Sequence, residues 1–330
     1  MKTRLFAVAC LVVGMPALAT PPSAPPKPRP APCQAEEPER TIWPQGTLLW
    51  GTGRLVKEKE TSSVLASVEL GRARRGGKAL KGLRLEGGRL VAPSAPKGVV
   101  GTVFQGAASD GKPVEVAVCG AEATAEDPTQ VWYRLELFNE VSQTWENPCI
   151  ETEQVPVPRA LAVPGVWDES GAKRAVKGKF TFACENGAIA KCVNWGYAPW
   201  GKKEGKSLAE VHQACTRMAR ADYCGDGRSH TKENTPIDMY DGMQVLTRTT
   251  ESSSFWDVKQ ASFEAAWSEE GATCLSRTRD GRAVEEVLAE CPGRFEVVAQ
   301  DLGEGDRCEV VRKGAKAPVL RNHSYGKAQP

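Results

Sequence analysis

The sequence predicts an α+β fold that is rich in disulfide bonds, with a β-rich N-terminal part followed by a mixed domain that contains one well-defined amphipathic helix. Short apolar runs alternate with glycine-rich turns between residues 42 and 150, which is typical of β-hairpins. A strong helical periodicity follows near residue 210, and eleven cysteines are spread along 330 residues. The composition, 41% apolar and 25% charged, excludes fibrous and wholly disordered classes.

The first nineteen residues have the three parts of a secretory signal peptide, which we assign to residues 1–19. Lys2 and Arg4 precede an apolar stretch, and Ala17-Leu18-Ala19 is a cleavage site of small residues. The apolar stretch is too short to cross a bilayer. We therefore expect an exported protein that is periplasmic, on the outer surface or secreted, without a transmembrane segment after cleavage. A lipidated Cys10 is the alternative.

Cleavage after Ala19 would remove Cys10 and leave an even number of cysteines. In an exported chain such a set predicts disulfide bonds, and the spacing is not that of a zinc site. A hairpin would allow Cys184 to pair with Cys192, but spacing alone leaves the connectivity open. The candidates are Cys33, Cys119, Cys149, Cys184, Cys192, Cys215, Cys224, Cys274, Cys291 and Cys308.

Proline dominates the segment that follows the signal peptide. We expect an extended linker over 20–41, because proline favours polyproline II and cannot build a core; a proline-rich partner-binding motif is the alternative. A β-rich domain, an antiparallel sheet or barrel, is expected over 42–150, with a hairpin at 83–91. Eleven basic residues and four acidic ones lie between 54 and 97. This excess suits a solvated sheet face or, alternatively, an anionic surface such as an acidic polysaccharide.

The best-defined element is a helix that begins after Ser207. Ser207 and Glu210 form a capping box, and apolar residues recur at helical spacing from Leu208 to Met218. Glycine is the residue that most often ends a helix, so we expect this one to end at Gly225.

Several short motifs occur in order around this helix: TFACE at 181–185, AKC at 190–192, HQACTRM at 212–218 and RADYCGDG at 220–227. Together they resemble the ADYC domain of exported bacterial proteins. The resemblance implies export but no known activity, so it assigns no catalytic residue. We expect an ADYC-like domain over 151–275, a C-terminal extension packed on it over 276–312, and a disordered tail over 313–330.

One pair of residues on the helix would suit a hydrolase. His212 and Cys215 share a helix face, as a base and a nucleophile would, and Asp222 follows. However, Cys215 lies on the apolar stripe and is expected to be paired, and a histidine bonded to a backbone carbonyl is the alternative for His212. The sequence favours a non-enzymatic envelope or secreted recognition module. The alternative is a secreted hydrolase that uses His212 with Cys215 or an aspartate.

Four aspartates near the end of the helix are candidates for a structural calcium site. Asp222, Asp226, Asp238 and Asp241 offer the oxygen ligands that Ca²⁺ prefers, although their spacing is not that of an EF-hand loop. Capping of the helix, or pairing of Asp222 with Arg217 or Arg220, is the alternative. No other cofactor is predicted.

Three aromatic residues, Trp195, Tyr197 and Trp200, lie within six positions of one another. A rigid loop with exposed rings would form a platform for sugars or peptides, whereas the alternative places these rings in the core. We therefore expect an envelope glycan or a protein as the partner. Nucleic acid is not expected, because the basic residues lack interleaved aromatic residues.

Overall fold

The computed structural model describes residues 29–34, 65–93, 98–108, 111–124, 127, 130–140, 142–149, 156–231 and 235–325. Strands make up 39% of the structure and helices 11%. The expected α+β class is therefore wrong, because strands dominate both halves of the chain. The predicted signal peptide, 1–19, lies outside the described residues.

Thirteen strands precede the first α-helix in the described part of the chain. They are β1 (Leu65–Glu69), β2 (Arg74–Arg75), β3 (Lys78–Ala79), β4 (Arg84–Glu86), β5 (Arg89–Val91), β6 (Thr102–Ala108), β7 (Pro113–Ala123), β8 (Val131–Asn139), β9 (Thr144–Glu146), β10 (Ala160–Pro164), β11 (Val166–Trp167), β12 (Lys173–Arg174) and β13 (Lys179–Cys184). A 3-10 turn, Leu70–Arg72, follows β1. The hairpin predicted at 83–91 is confirmed as β4 paired with β5.

Six of these strands close into an antiparallel barrel in the order β1-β13-β10-β8-β7-β6, with β6 pairing back to β1. Alternate residues fill its interior, including Val116 and Val118 of β7 and the rings of Phe104, Phe180 and Phe182. The three phenylalanine rings meet edge to face with centroids 4.9–5.7 Å apart. Strands β10 and β13 follow residue 150, so the barrel takes strands from both sides of the boundary expected there.

Three α-helices and ten further strands follow. They are α1 (Ala188–Asn194), β14 (Lys202–Lys203), β15 (Lys206–Ser207), α2 (Ala209–Ala219), β16 (Ile237–Asp241), β17 (Ala261–Ser268), β18 (Gly271–Leu275), α3 (Val284–Glu290), β19 (Phe295–Glu296), β20 (Gln300–Asp301), β21 (Arg307–Cys308), β22 (Val310–Arg312) and β23 (Leu320–Tyr325). These counts refer to the described residues.

Six of these strands form a second antiparallel sheet in the order β16-β23-β17-β18-β22-β19. The disordered tail expected from residue 313 is wrong, since β23 lies inside this sheet between β16 and β17. The sequence of β23 is mostly polar, and Asn322 and Ser324 are fully buried. Each has a polar partner on β17: Trp267 Nε1 donates to Asn322 Oδ1 at 2.7 Å, and Ser324 Oγ donates to Glu264 Oε2. A hydrophobic pattern could not predict such a strand.

Helices α1 and α2 form a layer between the barrel and the second sheet. Ile189 of α1 packs on the outer face of the barrel with Trp132 and Leu161. Met218 of α2 packs against Trp267 of the second sheet. Helix α2 begins two residues after Ser207, and it ends before the expected Gly225, because Ala221 adopts a left-handed backbone conformation with φ 50°.

Five disulfide bonds cross-link the fold, which confirms the prediction of disulfide pairing. Local pairing of Cys184 with Cys192 is wrong: Cys184 ends a barrel strand and faces the barrel core, whereas Cys192 lies on α1 and faces α2. The pairs are Cys33–Cys119, Cys149–Cys184, Cys192–Cys215, Cys224–Cys291 and Cys274–Cys308. They are consistent with folding outside the reducing cytoplasm.

Within the described residues, no helix combines the length and the apolar character needed to cross a membrane.

Candidate functional site

The tetrapeptide Ala221-Asp222-Tyr223-Cys224 joins α2 to the second sheet, and all four residues are buried. Ala221 reverses the chain in the left-handed region, a conformation that costs an alanine about 1–2 kcal/mol. Cys224 is bonded to Cys291 just beyond α3. The tetrapeptide is therefore the point at which the helical layer is fixed to the sheet.

The carboxylate of Asp222 organises the loop that follows. Its Oδ2 accepts hydrogen bonds from Arg217 Nη1 at 2.6 Å and from the Gly227 N–H at 3.0 Å, and its Oδ1 accepts one from the Asp226 N–H at 3.1 Å. Gly227 has φ 89°, and a Cβ there would lie 2.2 Å from the carbonyl oxygen of Glu169. Both carboxylate oxygens of Asp222 therefore have donors within the protein, and the loop requires glycine at position 227.

The ring of Tyr223 lies between His230, at 5.9 Å, and Trp267, at 5.5 Å between centroids. Its hydroxyl donates to Glu264 Oε1 at 3.2 Å and accepts from the Arg279 N–H at 2.7 Å. Burial, followed by the nearby Glu264 carboxylate, raises the pKa of Tyr223 well above its ordinary value. The phenol therefore stays protonated and acts as a donor.

Arg279 and Glu264 form an ion pair whose side chains are both 0% exposed, with Nη2 and Oε1 2.9 Å apart. The guanidinium also donates to the carbonyl oxygens of Met218 and Ala219, at 2.9 and 3.2 Å, which are the last carbonyls of α2. A cation at this end of a helix is favoured by the helix dipole. The tetrapeptide and this ion pair together form one buried structural unit that connects α2 to the second sheet.

The hydrolase candidates lie within this framework. His212 is fully buried, and its Nε2 lies 3.2 Å from the Ile189 carbonyl oxygen. Burial, with a smaller contribution from Lys173, lowers the pKa of His212 well below its ordinary value. Cys215 is bonded to Cys192, and Asp222 is paired with Arg217. Because Cys215 is in a disulfide bond, it offers no free thiolate to His212. The catalytic use of these residues stays a prediction.

The four calcium candidates make separate contacts. Besides Asp222, Asp226 pairs with Arg228 at 2.6 Å, and Asp238 accepts a hydrogen bond from Thr249 Oγ1 at 2.7 Å. Asp241 accepts one from the Tyr197 hydroxyl at 2.9 Å. Among the described residues, the carboxylates of the four aspartates do not converge on one point. The calcium site stays a prediction.

The three aromatic candidates face different surroundings. Tyr197 is fully buried, and burial together with Asp241 raises its pKa. Trp195 packs against the same core cluster and is partly buried. Trp200 is likewise partly buried: it packs against the core cluster of Ile189 and lies on the turn of the β4–β5 hairpin, where a Cβ at Gly88 would be 2.7 Å from its Cη2. The aromatic platform stays a prediction, and Trp200 is the ring that lies at the β4–β5 hairpin.

A second hairpin follows Trp200 directly. In β14–β15, Lys203 pairs with Lys206 across a two-residue turn, Glu204-Gly205, whose φ values of 50° and 81° are those of a tight hairpin turn. The "two-hairpin surface" consists of both hairpins and the indole between them. Its charged and aromatic residues are Arg84, Glu86, Arg89, Trp200, Lys202, Lys203, Glu204 and Lys206.

This surface carries five cations and two carboxylates. Arg84 pairs with Glu86 at 2.8 Å. Arg89 and the three lysines form no ion pair with any other described residue. Unpaired cations beside an aromatic ring attract anionic ligands. The sequence KKEGK at 202–206 was the signal that could have predicted this hairpin, and its closeness to residues 84–89 comes only from the fold.

A buried polar cluster in the second sheet was also missed by sequence reasoning. Asp306 accepts hydrogen bonds from His323 Nε2 at 2.9 Å, from the Tyr240 hydroxyl at 2.5 Å and from Arg321 Nη1 at 3.0 Å. Burial raises the pKa of Asp306, but these three hydrogen bonds outweigh burial and hold it below its ordinary value. Asp306 lies 66 positions from Tyr240, so no local pattern indicates the cluster.

The family model of the ADYC domain matches residues 96–281. This range contains β6, β7, β8, β10 and β13 of the barrel, both helices of the middle layer and the strands β16–β18. It covers more than half of the chain and confirms the resemblance inferred from the motifs. Searches of curated proteins and of solved structures gave no significant match.

Proposed function

We propose, from the premise that this chain belongs to the ADYC domain family, that it is an exported, non-enzymatic recognition module of the cell envelope and that its ligand is an anionic glycan. The proposal places the ligand on the two-hairpin surface. Export is supported by the signal-peptide pattern of 1–19 and by the five disulfide bonds.

The observation that carries the proposal is the partly exposed Trp200 beside cations that lack a carboxylate partner within the described residues. The apolar faces of sugar rings stack on indole, and carboxylate or sulfate groups pair with lysine and arginine. Rings alone would suit a neutral glycan, whereas cations alone would suit any polyanion. The combination of Trp200 with Lys202 and Lys203 favours a ligand that has both sugar rings and anionic groups.

A non-enzymatic role is supported by the positions of the hydrolase candidates. Cys215 is bonded to Cys192, and Asp222 accepts hydrogen bonds from Arg217 and from two backbone N–H groups. A nucleophile requires a free thiolate or hydroxyl next to its base. These groups already have structural partners.

Isothermal titration with polygalacturonate, and with neutral dextran of the same length, tests the proposal. We expect salt-dependent binding of polygalacturonate and none of dextran. Lys202→Glu/Lys203→Glu should weaken binding at least tenfold, and Trp200→Ala should weaken it at any salt concentration. Lys259→Glu, an exposed lysine on the second sheet side, is the matched control and should bind normally. Equal binding by all variants would overturn the assignment of the surface.

A further inference from the structure

Residues 29–33, which we call the strap, lie on the outer face of the barrel. In β7, Val116 and Val118 point to the barrel interior, so Glu115 and Cys119 point outward. In β8, Leu135 and Leu137 point inward, so Glu136 and Phe138 point outward. Outward residues of a barrel are normally exposed, yet Glu136 is 3% and Phe138 7% exposed. Cys33 of the strap lies against Glu136, and Arg29 of the strap together with Trp145 of β9 covers Phe138.

The side chain of Arg29 lies in a shallow aromatic and acidic pocket and stays 39% exposed. Its Nη2 lies 2.6 Å from Glu115 Oε2. Its guanidinium carbon lies 3.5 Å from the ring centroid of Phe138 and 5.1 Å from that of Trp145. A planar guanidinium stacks on aromatic faces and pairs with a carboxylate at the same time, which an ammonium group does less well. The pocket therefore has the chemistry of a specific arginine site.

Backbone groups of the strap are held as well. Trp145 Nε1 donates to the Pro30 carbonyl oxygen at 2.9 Å, and the Cys33 N–H donates to Glu136 Oε2 at 2.7 Å. A carboxylate that is nearly fully buried is costly unless it is hydrogen-bonded. Glu136 therefore needs a backbone donor at this position. The disulfide bond from Cys33 to Cys119 fixes the strap in place.

These contacts follow a general mode of peptide recognition. Proline-rich segments dock on aromatic-lined grooves because polyproline II is already extended and loses little entropy on binding. The strap has the sequence RPAPC, so its arginine is flanked by prolines, since Pro28 precedes it. The Trp145 N–H binds a proline carbonyl, and the neighbouring pocket binds the arginine. The site therefore recognises both the proline and the arginine of such a segment.

We propose that this groove, formed by Glu115, Glu136, Phe138 and Trp145, is a binding site for a partner protein that presents an arginine flanked by prolines, and that the strap is its resident competitor. The chain's own segment, seated in the groove, defines the chemistry of the ligand. The tether to Cys119 gives the strap a high effective concentration. A partner binds strongly only where Arg29 and Pro30 leave the groove, a local displacement that keeps the Cys33–Cys119 bond intact and needs no reductant. The groove uses strands other than those of the two-hairpin surface.

The test uses the full chain carrying Arg29→Ala/Cys33→Ser/Cys119→Ser, which releases the strap and leaves no free thiol at either position. The probe is a fluorescent peptide with the sequence of residues 27–33 and serine in place of cysteine. Fluorescence anisotropy should show saturable binding to the released variant and at least tenfold weaker binding to the wild-type protein. A peptide with alanine in place of Arg29 should lose at least tenfold in affinity.

Two further variants keep the result decisive. Glu115→Gln in the released background should weaken binding at least fivefold, while Glu309→Gln, at an exposed acidic residue outside the groove, should leave it unchanged. If the released variant does not fold, Arg29→Ala alone keeps the disulfide bond, empties the arginine pocket, and should bind the peptide at least threefold more tightly than wild type. Absence of binding by the folded variants, or equal binding of the alanine peptide, overturns the proposal.

Discussion

The barrel and the second sheet have different kinds of core. Inside the barrel, Phe104, Phe180 and Phe182 meet through ring contacts, and the surrounding side chains are apolar. In the second sheet, the side chains of Glu264 and Arg279 are 0% exposed and form an ion pair. Tyr223 and Ser324 complete the network with hydrogen bonds to Glu264. The barrel is held by burial of apolar area, whereas the second sheet combines an apolar cluster around Trp267 and Leu275 with a buried network of directional polar contacts.

This difference determines how each region tolerates change. An apolar core accepts residues of similar volume at modest cost, because dispersion contacts have little directional preference. A buried polar network is stable only when every member is satisfied, since an unpaired group in a region of low dielectric loses its solvation without compensation. The second sheet should therefore respond most strongly to the loss of one partner, and least to a coordinated replacement of both.

The largest effect is expected for Glu264→Ala. The substitution leaves the Arg279 guanidinium buried without its carboxylate and removes an acceptor from Tyr223 and Ser324. Breaking a buried ion pair in this way costs about 3–5 kcal/mol. Urea denaturation under non-reducing conditions measures the free energy of unfolding. A loss below about 1 kcal/mol would contradict the view that this pair organises the second sheet.

The double variant Glu264→Leu/Arg279→Met is the control for Glu264→Ala. With both charges gone, no buried charge is left unpaired, although the hydroxyls of Tyr223 and Ser324 still lose their acceptor. Replacement of an ion pair by apolar side chains of similar size is often neutral. We therefore expect the double variant to be more stable than Glu264→Ala. The opposite order would show that Arg279 is needed mainly for its contacts to the last carbonyls of α2.

Disulfide removal should have the next largest effect, and its size should differ between the regions. Cys224→Ser/Cys291→Ser opens a loop of 67 residues, whereas Cys149→Ser/Cys184→Ser opens one of 35. Loss of a native disulfide costs about 2–5 kcal/mol, and the chain-entropy relation makes the longer loop costlier by about 0.6 kcal/mol. The same denaturation experiment compares the two. A larger loss from the barrel pair would contradict this order.

The same contrast explains which parts of the fold the sequence could predict. Alternating apolar residues in β7 and β8 predict barrel strands directly, since one face of each fills the core. The polar strand β23 carries no such signal, because its buried residues Asn322 and Ser324 depend on partners from β17. Turn residues predicted the β4–β5 hairpin, whereas barrel closure depends on pairings distant in the chain.

For the candidate sites, the sequence identified individual residues but not the residues that surround them in the fold. Trp200 was singled out with Trp195 and Tyr197, but only the fold brings it onto the turn at Gly88. The proline-rich segment was expected to be a linker, yet Arg29 lies against Phe138, more than one hundred positions away. Motif spacing identified the family because those residues are close in sequence around α2.

Acid should destabilise the protein through His212. Burial lowers the pKa of His212 well below its ordinary value, so below pH 6.5 the unfolded chain binds a proton that the folded chain does not. Stability therefore falls as the pH drops through about 6.5, by up to about 1.4 kcal/mol per pH unit. His212→Gln should reduce the loss between pH 7.5 and 5.5 by about 1 kcal/mol in urea titrations. An unchanged pH dependence would contradict this role.

The smallest effect is expected for Glu86→Ala, which repeats the chemistry of Glu264→Ala at the surface. Arg84 and Glu86 lie 2.8 Å apart and are 56% and 57% exposed, whereas Arg279 and Glu264 lie 2.9 Å apart and are fully buried. Exposed pairs contribute between 0 and about 1 kcal/mol, because water solvates either partner alone. We expect a change within about 0.5 kcal/mol in the same denaturation experiment, although the two distances differ by only 0.1 Å. If Glu86→Ala cost as much as Glu264→Ala, the distance between the partners rather than their burial would determine the contribution of an ion pair in this protein.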